Sequence, residues 1–153
     1  MAADIQEMFD RLAIRELVDR YSVAVTRRDW DAVADCFHED ARWRASVGYD
    51  FQGRETVRAG IRQVVERMEF LVQMTHACVV DELTADRARA TSVLNEFGRR
   101  PNGQGGVFVL GVYTDTVTKA QGRWVFEERD FQVHYIDTAA LPGRQMIDYA
   151  NAR

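Results

Sequence analysis

This chain is poor in the residues that staple or metallate small proteins. Among 153 residues there are only two cysteines, Cys36 and Cys78, and three histidines, His38, His76 and His134. Two cysteines are too few for a disulfide framework, and their spacing is not that of metal ligands. A reducing, cytoplasmic setting is therefore expected. No apolar run approaches the roughly 20 residues that span a bilayer. The start, MAADIQEMFD, lacks the positive and apolar regions of a secretory signal. Charge of one sign is missing too. A net charge of −4, with acids and bases interspersed, gives no electrostatic footprint for nucleic acid. Also missing are a phosphate loop, a dinucleotide fingerprint and a nucleophile elbow.

What is present fits an ordinary globular domain spanning residues 1–153, with 46% apolar and 29% charged residues. A chain of this length buries enough surface to fold without a metal or disulfide.

Periodicity divides the chain into helices first and strands afterwards. Ile5, Met8, Phe9, Leu12, Leu17, Val18, Tyr21, Ala24 and Val25 recur at helical steps, predicting a helix over residues 5–25. Asp29 reads as the N-cap of a short second helix running through residue 37. His38-Glu39-Asp40 would end it and lead into a strand over 41–46. After a turn near Gly53, a third helix over 55–70 would present Val57, Ile61, Val64, Val65 and Met68 to a core. Strands are expected over 75–83 and 88–97, then, past the Gly-rich loop 101–106, over 107–119 and 123–135 with a turn at Gln121-Gly122. A tail over 142–153 would fold over the domain or a neighbouring subunit. The order predicts an α+β fold with helices on one face of a curved sheet.

Three stretches carry a family resemblance: IRELVDRYSVAVTRRDWDAVADCFHEDARW at 14–43, FQGRETVRAGI at 51–61 and GVYTDTVTKAQGRWVF at 111–126. They resemble the nuclear transport factor 2-like superfamily, and within it the SnoaL-like branch. The resemblance implies a cone: three helices inside a strongly bent, mainly antiparallel sheet, around a deep apolar pocket for a small organic molecule. It also implies a homodimer or homotrimer joined through the outer sheet face, with neither nucleic acid nor membrane as partner.

Candidate site residues follow. By its residues alone, His76, inside VQMTHACVV, reads either as a core histidine or as a general base, since imidazole titrates near working pH. In dehydrochlorinase and scytalone dehydratase members, a histidine early in the strand after the third helix is the base, and MTHACVV resembles that position. Strand alternation would then set Met74, Cys78 and Val80 beside His76. The dehydrochlorinase pattern pairs the histidine with an aspartate late in the first helix. The matching position here is Thr26, which accepts a hydrogen bond but carries no charge. A ketosteroid isomerase-type base is absent, because Ala45 occupies its position.

Tyr21, Trp43 and Tyr113 read as core aromatics or as pocket walls offering polar tips. Asn95 and Glu96 are strand neighbours, so one of them faces the pocket and the other faces away. Arg129 shares a predicted face with Val125, Phe131, Val133 and Tyr135, where a cation would meet an anion or leaving group, or form a salt bridge. His76, Cys78 and Asp81 do not converge as a metal site. The expectation is a lyase or isomerase acting without metal or other cofactor on an apolar, cyclic substrate, or else a binding domain that keeps the pocket without the dyad.

Overall fold

The computed structural model describes residues 2–151, so the last two residues of the expected tail lie outside the described residues. Helix α1 spans Ala2–Arg27 and α2 spans Trp30–Asp35. Asp29 caps α2, accepting the Ala32 backbone N–H at 3.1 Å. Strand β1 then begins at once, as Phe37–Ala45, so His38-Glu39-Asp40 lie in the strand rather than in a helix end. A short strand β2, Tyr49–Gln52, precedes α3 over Arg54–Glu66. Four long strands follow: β3 Phe70–Leu83, β4 Arg87–Arg99, β5 Gly106–Ala120 and β6 Arg123–Asp137.

The strands form one six-stranded sheet in the order β2-β1-β6-β5-β4-β3. Only β1 and β6 pair in parallel; the other four pairings are antiparallel. The sheet curves around the helices and stays open between its β2 and β3 edges. This is an α+β cone, as the alternation of helical and strand periods implies. Its core joins Ile14, Leu17, Val18 and Tyr21 of α1 to Val57, Ile61 and Val65 of α3 and to the inner faces of the strands.

Bulges decide which residues face that core. One lies between Thr75 and Ala77 of β3, and another lies opposite the Leu110–Gly111 step, where β6 carries the extra residue His134. A bulge adds one residue to one strand and reverses the faces beyond it. Gly111 is needed beside the second: a Cβ there would collide with the Phe131 ring. The tail folds back over its own domain. Its Ala139 carbonyl accepts from Gly106, Leu141 accepts from Arg99 at 3.1 Å, and Tyr149 lies under Arg28 at 3.9 Å.

Candidate active site

Between α1, α3 and the inner sheet face is a cavity of about 100 Å³. A single water needs only about 10–15 Å³ measured this way, so the space suits a small organic molecule. Its walls are apolar and aromatic: Val25 of α1, Ile61, Val64 and Val65 of α3, and Trp43, Tyr49, Tyr113 and Phe131 from the sheet. Stacking fixes those rings. Trp43 lies on Phe51 at 5.7 Å, and Tyr113 on Phe131 at 4.5 Å. Trp43 Nε1 donates to the Tyr113 hydroxyl at 3.3 Å, while the Tyr21 ring meets the Tyr113 ring edge-on. Burial pushes the Tyr21 phenol up to about 12 and raises that of Tyr113, keeping both as neutral donors.

Two polar residues complete the lining, Gln73 of β3 and Glu96 of β4. They are register partners, and Gln73 Nε2 donates to Glu96 Oε1 at 2.7 Å. Burial raises the Glu96 carboxyl above its ordinary value, and the bond from Gln73 pulls the other way. The Gln73 side-chain oxygen accepts from Ser22 of α1 at 3.1 Å. Its backbone N–H donates to Thr26 Oγ1 at 2.9 Å. Gln73 is thus held from α1 and in turn fixes the Glu96 carboxyl.

The structure distributes the residues singled out from the sequence among three places. Tyr21, Trp43 and Tyr113 line the cavity. Of the neighbours left open, Glu96 faces the cavity and Asn95 faces away. His76 is the extra residue of the β3 bulge; it is exposed on the outer sheet face, where its Nε2 bonds to Asn95 Oδ1. It does not line the cavity, and the expected common face fails for a local reason. Met74 stays outside with His76, whereas Cys78 and Val80, beyond the bulge, pack on the core. Thr26 meets Gln73 instead of a histidine.

Arg129 lies deeper than the cavity. Its side chain is fully buried, paired through Nε with Asp115 Oδ1 at 3.1 Å, and enclosed by the rings of Tyr113, Phe126 and Tyr21 at 3.8, 4.1 and 4.3 Å. Tyr135 does not share its face, because the β6 bulge carries that ring outward. Burial pushes Asp115 up to about 7, with the Arg129 charge opposing. Asp115 and Gln73 went unnoticed in the sequence. The alternation of GVYTD, which sets Tyr113 and Asp115 on one face, was the available signal for Asp115; nothing local marked Gln73.

A family model, the SnoaL-like domain, matches residues 6–130. The chain belongs to the SnoaL-like domain family. Within that family it is similar to gamma-hexachlorocyclohexane dehydrochlorinase of Sphingobium indicum, 22% identical over 145 residues, covering 90% of this chain and 89% of the relative. Among solved structures, a type 2 hexachlorocyclohexane dehydrochlorinase superposes with a TM-score of 0.83 at 19% identity, covering 95% of this chain and 97% of the other. A scytalone dehydratase-like protein of Novosphingobium aromaticivorans gives 0.79 at 22% identity, covering 95% and 100%. These likenesses establish the SnoaL-like cone; the chemistry has to be argued from the cavity.

Proposed function

We propose that this SnoaL-like domain is a lyase or isomerase that moves a proton on a small, apolar, cyclic substrate, with Glu96 as the general base. The observation that carries the proposal is a carboxyl with a raised pKa in an otherwise apolar cavity, oriented by one bond from Gln73. Such a carboxylate is a stronger base than one in water, and positioned acid–base groups contribute about 10²–10⁴-fold.

In the proposed step, ionised Glu96 removes a proton from carbon. The C–H electron pair becomes a double bond, and either a leaving group departs with its own pair or a neighbouring carbonyl becomes an enolate. Tyr21 and Tyr113 are placed in the same cavity to donate hydrogen bonds to the negative charge that develops. In an isomerisation, Glu96 returns the proton to a different carbon. Proton transfer of this kind lies within the reach of side chains alone.

Dehydrochlorination and dehydration, the reactions after which the similar proteins are named, are both eliminations, which supports the same class of chemistry here. The neutral Thr26–Gln73 pair favours a different base from an Asp–His dyad. It also supports a second reading, a binding domain that has kept the pocket and lost turnover. An oligomer of identical chains through the outer sheet face belongs to the proposal. Met74, Val93, Phe97, Leu110 and Tyr135 stand exposed there. Free thiols at Cys36 and Cys78 suit a reducing cytoplasm.

Deuterium incorporation into cyclohexanone in heavy water tests the base without knowledge of the natural substrate. Wild-type protein is expected to accelerate exchange over buffer, and Glu96→Gln to lose at least 10²-fold of that acceleration. Exchange at the buffer rate, with cyclohexanone bound, would favour the binding domain.

A further inference from the structure

Trp43, the largest side chain in the cavity wall, is held from two sides. Its ring lies on Phe51 at 5.7 Å with 14° between the planes, and it is 6% exposed. Phe51 rests in turn on Gly60 of α3, where a Cβ would collide with the ring. On its other side the Trp43 N–H is bound by the Tyr113 hydroxyl at 3.3 Å. The indole is therefore not free to swing aside for a larger guest. The space it bounds, about 100 Å³, is smaller than the roughly 150 Å³ of an apolar cavity that accepts benzene. One six-membered ring fills it out to the mouth, where Val47 and Ile136 stand half exposed.

The same N–H bears on what that ring must carry. An indole nitrogen only donates, so the Tyr113 oxygen accepts in this bond and its own proton points elsewhere. The Tyr113 hydroxyl also bonds to that of Tyr21. The protons of Trp43, Tyr113 and Tyr21 are three, the bonds among them are two, and one hydroxyl proton is left for the cavity. Arg129 strengthens that donor. Its guanidinium lies against the Tyr113 and Tyr21 rings at 3.8 and 4.3 Å and draws electron density away from their hydroxyls.

We infer that the cavity selects single-ring ketones and that Trp43 is the residue that sets this specificity. The inference rests on the reading of this cavity as the substrate site; it does not depend on Glu96 being the base. A ketone oxygen accepts the spare phenol proton, which places the neighbouring ring carbons against the indole. A second ring fused at those carbons meets Trp43.

Equilibrium binding and infrared spectroscopy test this apart from turnover, because proton exchange returns cyclohexanone itself. The carbonyl band of cyclohexanone bound to wild type should lie below its position in a hydrocarbon solvent. In Tyr21→Phe combined with Tyr113→Phe the band should move back towards that position. The affinity for cyclohexanone relative to methylenecyclohexane, the same ring without the oxygen, should fall about 3–10-fold in that variant. By calorimetry, α-tetralone, with a second ring fused beside its carbonyl, should bind wild type about 10-fold or more weakly than cyclohexanone. Trp43→Leu should reverse that order. Trp43→Phe, which keeps a ring on Phe51, should show the same change in smaller degree. An unshifted carbonyl band in wild type overturns the inference, as does α-tetralone binding as tightly as cyclohexanone. So does exclusion of α-tetralone that persists in both Trp43 variants, or a wild type that binds no cyclohexanone. Absence of deuterium exchange, with these binding results intact, would count against Glu96 as base and leave the specificity standing.

Discussion

Gln73 and Glu96 sit directly opposite each other on β3 and β4, and the amide of the first holds the carboxyl of the second at 2.7 Å inside the cavity. One hydrogen bond thus links α1, through Ser22 and Thr26, to the group proposed to act as base. Removing the amide has two consequences that can be measured separately. Gln73→Ala leaves Glu96 without its amide donor, while Ser22 keeps Thr75 at 2.7 Å, and an unsatisfied buried group of this kind costs about 1–3 kcal/mol of stability. It also removes the interaction that lowers the Glu96 pKa, so that pKa rises further. Urea denaturation should show the first effect, and carboxyl-selective NMR titration the second. An unchanged titration would show that the bond does not tune the carboxyl.

The buried pair beneath the cavity is held by mutual need. Arg129→Met leaves the fully buried Asp115 without its counter-ion, and removing one partner of such a pair costs about 3–5 kcal/mol. Arg129→Met combined with Asp115→Leu removes both charges and should recover most of that loss. The double-mutant cycle, measured by chemical denaturation, checks the coupling. Additive losses would contradict it.

Asp115 gives stability a dependence on pH whose sign is fixed. Its folded pKa, about 7, lies above the unfolded carboxylate value near 3.9, so between those limits the folded state holds more proton. Its contribution is complete below the unfolded pKa and is lost as pH rises towards 7. The melting temperature of Asp115→Asn should therefore fall less than that of wild type between pH 4.5 and 7.5. Parallel curves would place the Asp115 carboxyl at its ordinary value.

Much of the cone is legible in the sequence, because its elements announce themselves by period. The turn at Gln121-Gly122 and the Asp29 cap fall where the residues place them. The family motifs bring Tyr21, Trp43 and Tyr113 to one cavity. Two features escape a reading by period. A bulge inserts one residue with no fixed signature, and the one at His76 turns an expected inward histidine outward. Periodicity also counts apolar residues without saying what they touch. Ile5, Met8, Phe9 and Leu12 continue the helical pattern of α1, yet they lie opposite its core face. Glu96 was undecided against Asn95 for a related reason: alternation says that neighbours differ in face, and only the sheet's curvature says which face is inner.

The central claim is that Glu96, and not His76, moves the proton. The pH dependence of deuterium incorporation into cyclohexanone tests it most directly, compared among wild type, Glu96→Gln and His76→Ala. Wild type and His76→Ala should show the same rise through one apparent pKa, above the ordinary glutamate value of about 4.3, with Glu96→Gln flat near the uncatalysed rate. A profile lost in His76→Ala and kept in Glu96→Gln would contradict the account.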